Sequence, residues 1–224
     1  MEKESKDFHN CARTFNPDVT LLECAYQDFF DEIQRFNAGK KYISFNDFIK
    51  KDAAEYRDMG EGVTYVVFDV QYDKEGKEIH RECIAYYTLS ATSIPYEDRI
   101  RLDKEEAQET GREFDIQICG IPAIEIKMFA VDEKYQDVFY QYRDEKLPIS
   151  AWIMRNIINY ANSLLENVIG VKALFLHSVP EAEAFYVKNG FHFVEKNMKP
   201  LHCIDSEFTA MYLTLREVHM NYDD

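Results

Sequence analysis

Along this chain the spacing of apolar positions switches between helical and strand periods. From Asp18, a residue type suited to an N-cap, Leu22, Ala25, Phe29, Phe30, Ile33 and Phe36 recur at helical spacing and predict a first helix. Asn37-Ala38-Gly39 stops it. A second helix is predicted from Ser44, with Asp47 in the acid position of a capping box and Phe45, Phe48, Ile49, Ala53 and Tyr56 on one side. Gly60 and Gly62 end it. The period then drops to that of strands. Thr64-Tyr65-Val66-Val67-Phe68-Asp69-Val70 is β-branched and aromatic, Asp73-Lys74-Glu75-Gly76 is a turn, and Ile79 to Leu89 returns as the partner of an antiparallel hairpin. Residues 95–118 are highly charged and read as an exposed insertion, with Glu105 to Glu109 forming a helical turn.

After Ile121-Pro122 the pattern predicts a strand over 123–131, a long link over 132–147, and a helix whose first turn holds Pro148. Ile153, Ile157, Ala161, Leu164, Leu165 and Val168 give that helix its apolar stripe, and Gly170 is its terminator. A buried strand over 171–176, a short helix over 180–189 and strands over 191–194 and 208–215 complete the pattern. Residues 1–17 read as a loose arm and 217–224 as a polar tail. No linker divides 18–216, which is read as one domain of class α/β (α+β) around a mixed sheet.

Composition narrows the function classes. With 41 acidic against 26 basic residues the formal net charge is −15. This opposes non-specific nucleic-acid binding, where Lys and Arg must replace phosphate counterions, and suits a cationic substrate or partner. The cysteines Cys11, Cys24, Cys83, Cys119 and Cys203 are scattered, with no C-x-x-C pair or His-flanked cluster, so they read as reduced thiols and no metal site is expected. Met1 to Asn10 lacks an apolar segment, and no apolar run reaches membrane-spanning length. A cytoplasmic protein is expected.

Several segments together resemble the GNAT superfamily of acyl-CoA N-acetyltransferases. Ile84-Ala85-Tyr86-Tyr87-Thr88-Leu89-Ser90 is similar to the third strand of its toxin-like branch, with Ala85 where a glycine is common. Phe45 to Ala53 resembles the early helix of that branch. Met128-Phe129-Ala130-Val131-Asp132 with Tyr135-Gln136 is similar to the fourth strand and the start of the acyl-CoA loop. Ala184-Phe185-Tyr186-Val187-Lys188-Asn189-Gly190-Phe191 matches the short helix that carries a Phe-Tyr pair. The resemblance covers residues 40–215. It implies a three-layer fold whose central, mostly antiparallel sheet splays between its fourth and fifth strands, with acetyl-CoA as cosubstrate.

For cofactor binding it implies the main chain of Met128, Phe129, Ala130 and Val131, along which the pantetheine arm pairs as an extra strand. A glycine-rich pyrophosphate loop is expected next, yet no glycine lies between Gly120 and Gly170. In its place stands Arg143-Asp144-Glu145-Lys146-Leu147-Pro148, followed by Ile149, Ser150, Ala151 and Trp152, whose N–H groups open a helix. Arg143 and Lys146 supply charge there. Phe185 and Lys188 flank the sulfur and phosphate ends in this reading. Core packing is the competing role for Met128 to Val131, Trp152 and Phe185, and plain exposure for Lys188.

Acetyl transfer needs a deprotonated amine and a proton for the departing thiolate. By resemblance Tyr186 is the general acid, with a core aromatic as the alternative. Glu125 stands in the register of the glutamate base of histone-type acetyltransferases. A lone charge in an apolar strand either faces solvent or is paired, for example with a lysine on an adjacent strand. His177 follows the fifth strand, as a proton relay or a structural histidine. The expected activity is direct acetylation of a primary amine on a small molecule, peptide or protein. The alternatives are toxin-type acetylation of aminoacyl-tRNA, or a non-catalytic GNAT-like binding module. An amine-bearing acceptor, and a second copy or an antitoxin-like chain, are the expected partners.

Overall fold

The structure, a computed structural model, describes residues 13–16, 19–25, 29, 31–142, 145–199 and 207–215. The chain forms two compact units, one of residues 1–90 and 126–155, the other of 91–125 and 156–224.

In the first unit β1 (Arg13–Asn16) and β2 (Val19–Ala25) precede a helical run, and β3 (Val63–Tyr72) and the start of β4 (Glu78–Arg101) follow it. The C-terminal part of β5 (Phe114–Val131) joins them, in the order β1-β2-β3-β4-β5. The predicted first helix is thus corrected to one strand, β2, and a later 3-10 turn, and residues 13–16 of the expected loose arm are strand. Val19 and Thr20 are β-branched, and β2 pairs antiparallel with β3 along its whole length, from Val19 opposite Gln71 to Ala25 opposite Tyr65. Ladder pairing outweighs the helical spacing. Phe29, Ile33 and Phe36 pack into the cluster of Phe48, Ile49, Val66, Phe68, Val70 and Tyr86, with a 3-10 turn over Glu32–Arg35.

The second helix begins earlier than Ser44. A 3-10 turn (Lys40–Tyr42) runs into α1 (Ile43–Asp47), a π turn (Phe48–Asp52) and α2 (Ala53–Asp58). Asp47 serves no capping box; it forms an i,i+4 pair with Lys51 at 2.6 Å. Asn37, Ala38 and Gly39 make the junction. The Ala38 N–H donates to Asn46 Oδ1 at 2.7 Å, and Gly39 takes φ +100°, a conformation that suits only glycine. Tyr86 ties this run to the sheet: its hydroxyl donates to the Phe45 carbonyl at 2.8 Å, and its ring stacks on Phe48 and meets the Phe36 edge.

Residues 95–118 are not a loop insertion. β4 continues to Arg101, α3 (Lys104–Thr110) caps the hairpin, and β5 returns from Phe114. Asp103 accepts from the N–H groups of Glu105 and Glu106, and Gly111 closes α3 at φ +69°. A Cβ on Gly120 would meet the Ser93 hydroxyl, which would have to rotate away to admit it. The expected link 132–147 also holds structure: β6 (Phe139–Tyr142) and β7 (Glu145–Pro148) pair antiparallel, and Pro148 ends β7 immediately before α4 (Ile149–Asn167).

The second unit has the strand order β4-β5-β8-β10-β9, with β8 (Ala173–Ser178), β9 (His192–Phe193) and β10 (Thr209–Thr214). β10 is antiparallel to both β8 and β9. A 3-10 turn opened by Pro180 leads into α5 (Glu183–Lys188), and Gly190, at φ +88°, turns the chain into Phe191. Ile94, Ala123, Ala173 and Phe175 form a core with Ile121, Val194, Met198, Ala210 and Tyr212.

Burial keeps three weak acids neutral. Desolvation pushes the Cys83 thiol and the Tyr86 and Tyr186 phenols well above their ordinary values of 9.0, 10.0 and 10.0. Below those values each group is protonated whether the chain is folded or unfolded, and its contribution is intact. Above them only the unfolded chain can release the proton, so folding loses about 1.4 kcal/mol per group for each further pH unit. The melting temperature is therefore expected to fall steeply between about pH 9 and 11. A flat profile measured over that range would contradict this burial.

Candidate functional site

In the first unit the end of β5 is firmly placed. Asp132, 1% exposed, takes the Asn37 N–H on Oδ2 at 2.8 Å and the Lys134 N–H on Oδ1 at 3.0 Å, while its own N–H donates to the Ile84 carbonyl. The Gln136 amide donates to the carbonyls of Val131 (3.2 Å) and Ala38 (3.3 Å). Of the main chain singled out from the sequence, the Val131 carbonyl is thus already engaged, with one lone pair left. Met128 and Ala130 pack in the first unit's core, and Val131 is buried, while Phe129 is half-buried.

At the start of α4 the Ile149 N–H is also taken, donating to the Val138 carbonyl at 3.0 Å. The N–H groups of Ser150, Ala151 and Trp152 belong to the same first turn, where the helix supplies no acceptor of its own. Trp152 is buried, and Ser150 and Ala151 are half-buried. The exposed Lys146 holds its ammonium 5.0 Å from the centroid of the Phe139 ring. Arg143 lies outside the described residues. This first turn and Lys146 suit an anion, although Pro148 offers no N–H.

In the second unit α5 presents Phe185 and Tyr186 as an edge-to-face pair with centroids 5.2 Å apart, and Tyr186 meets Phe191 at 5.6 Å in the same manner. Tyr186 is 8% exposed, and burial alone raises its phenol. Lys188 is exposed, and Glu183 accepts the Thr209 hydroxyl.

Glu125 on β5 is buried at 8% exposure, and its Oε1 stands 3.5 Å from Nδ1 of His177 on β8. The sequence reading leaves Glu125 either solvent-facing or paired, for example with a lysine; in the structure its carboxylate stands beside His177. β5 and β8 are neighbours in the sheet, which a single chain pattern does not reveal. The available signal was alternation on β8, which sets His177 beside Phe175, whose ring it meets edge-on at 4.9 Å.

Neither a family model nor a curated protein sequence matches this chain. Solved structures do. AtaT complexed with acetyl-methionyl-tRNAfMet is similar over 91% of this chain and 98% of its own, with a TM-score of 0.56 and 16% identity. AtaTR bound with acetyl-CoA covers 92% and 98%, at TM-score 0.60 and 17% identity. A Tyr→Phe variant of KacT covers 91% and 98%, at 0.58 and 17%. The fold is the GNAT fold. Seen this way, β5, α4, β8 and α5 are the strand–helix–strand–helix series that the sequence resemblance led one to expect. Among the described residues of this GNAT fold no helix is long and apolar enough to cross a membrane, and no three His, Cys, Asp or Glu side chains are placed to hold a metal ion.

Proposed function

We propose that this chain transfers the acetyl group of acetyl-CoA to the amino group of an aminoacyl-tRNA. The observation that carries the reading is the near full-length likeness to AtaT complexed with acetyl-methionyl-tRNAfMet. Acetyl-CoA as donor is supported by the likeness to AtaTR bound with it and by the anion-suited first turn of α4. In this reading the main chain around Phe129 pairs with the pantetheine arm. Ser150, Ala151 and Trp152 give N–H groups to phosphate, and Lys146 adds positive charge. Tyr186, kept neutral by burial, donates its phenolic proton to the departing thiolate. That AtaT and KacT were both solved as Tyr→Phe variants agrees with a tyrosine central to such folds.

The net charge of −15 favours a second reading, in which the acceptor is an amine on a cationic peptide or protein. For an RNA substrate the basic contacts must be local, and affinity must fall steeply with salt. An antitoxin-type chain is the partner this reading brings, since AtaT has been solved with the C-terminus of the antitoxin AtaR.

The test is to incubate the protein with acetyl-CoA and a panel of charged tRNAs, basic peptides and small amines, following thiol release and acetylated product. Acetylated aminoacyl ester supports the proposal. Reaction confined to peptides moves the assignment to the second reading. Absence of heat on titrating acetyl-CoA would reduce the chain to a binding module without cofactor.

A further inference from the structure

The geometry points to His177 Nε2 as the base that takes the acceptor's proton, with Glu125 as the residue that positions the imidazole. This deepens the acetyl-transfer reading above and rests on it. The Glu125 carboxylate lies 3.5 Å from His177 Nδ1, so it favours the tautomer carrying the proton on Nδ1. Nε2 then presents a lone pair. That atom is buried and meets no hydrogen-bond partner, an arrangement a purely structural histidine avoids because each unsatisfied buried polar group costs stability. The ring is held by the edge contact with Phe175, and the residue opposite on β10, Ala210, brings no competing charge. Carboxylate, imidazole and an unpartnered second nitrogen form the base-and-orienter half of a catalytic triad, with the substrate amine in place of a side-chain nucleophile.

The proton account closes. Nε2 removes one proton from the acceptor ammonium, and the imidazolium formed is stabilised by the Glu125 carboxylate. The freed amine forms the new C–N bond at the thioester carbonyl, and the C–S bond breaks. The thiolate takes a proton from Tyr186, and the second proton lost by the nitrogen restores the phenol. The imidazolium returns its proton to water. Glu125 is buried against the histidine, so it acts through the ring and does not meet the amine itself.

The test is the pH profile of kcat/KM for acetylation of charged tRNA by wild type, His177→Gln and Glu125→Gln, with acetyl-CoA affinity and melting temperature measured alongside. His177→Gln is expected to lose about 10²–10⁴-fold in kcat/KM with acetyl-CoA affinity kept within about twofold. The rate should no longer follow the imidazole at low pH; its rise with pH should instead follow deprotonation of the amine unaided. Glu125→Gln keeps an acceptor for the Nδ1 proton but removes the charge that stabilises the imidazolium, so its limb should move to lower pH with a smaller loss. A His177→Gln enzyme with the wild-type profile overturns the assignment while leaving acetyl transfer intact. If that variant does not fold, Glu125→Gln decides: a limb at unchanged pH overturns the pairing. A wild-type protein that acetylates no amine overturns both readings.

Discussion

Removing one oxygen atom, by Tyr186→Phe, is expected to lower acetyl transfer by about 10²–10⁴-fold while leaving the protein folded and its acetyl-CoA affinity nearly unchanged. The packing argument comes first. The Tyr186 ring is held edge-to-face by Phe185 and Phe191 on the same chain segment, and a phenyl ring reproduces both contacts. The hydroxyl contributes little to this arrangement. In the proposed reaction its value is chemical: burial raises the phenol far above its ordinary value, so it keeps the proton that the departing thiolate would take. A thiolate left without that donor is a poorer leaving group. Thiol release should fall, and titration with acetyl-CoA should still show binding. Wild-type turnover by the variant would return Tyr186 to the role of a core aromatic and move weight to a water-borne proton donor.

Tyr86 gives the largest expected effect on stability. It is fully buried, its ring contacts Phe36 at 5.3 Å and Phe48 at 6.1 Å, and its hydroxyl satisfies the Phe45 carbonyl. Tyr86→Ala opens a cavity between β4 and the helical run and is expected to cost about 3–5 kcal/mol, by analogy with aromatic truncation in cores. For a domain of ordinary stability that is a large share of the total. Tyr86→Phe keeps the ring and removes one hydrogen bond from a part-buried carbonyl that still accepts the Phe48 N–H, for about 0.5–1.5 kcal/mol. Urea unfolding of the two variants separates the contributions. Equal losses would mean that the hydrogen bond, and not the ring, secures α1.

The parts of this fold that were legible in sequence are those fixed by local chemistry. Pro180 opens the segment around α5 through its fixed φ, and Gly190 closes it through the positive φ that glycine alone adopts readily. The Thr64–Val70 run and its return are β-branched on both arms. What failed depended on partners elsewhere. Leu22 to Phe36 has helical spacing, but β3 offers β2 an open edge. The stretch 95–118 reads as loop by charge, although Phe114, Ile116 and Ile118 already alternate as a strand does, leaving three exposed apolar side chains on an extended hairpin. Glu125 was visible as a lone charge in an apolar strand. Its histidine was not visible as its partner, because that pairing depends on strand order. The pyrophosphate region was legible only as an absence of glycine. The acceptors already occupying the Ile149 N–H and the Gln136 amide, the Val138 and Val131 carbonyls, are set by the course of the chain between β5 and α4, which composition does not specify.

The first unit is assembled from chain segments separated by residues 91–125, and this orders events during synthesis. When residue 90 leaves the ribosome, β4 has β3 on one side and no β5 on the other. The Asn37 N–H and the Gln136 acceptors likewise await residues 131–136. At about 5–20 residues per second the nascent chain carries an unpaired strand edge for several seconds before that strand arrives. That interval is when the polypeptide is most exposed to mispairing, and when a chaperone or a strand-donating partner has its opening.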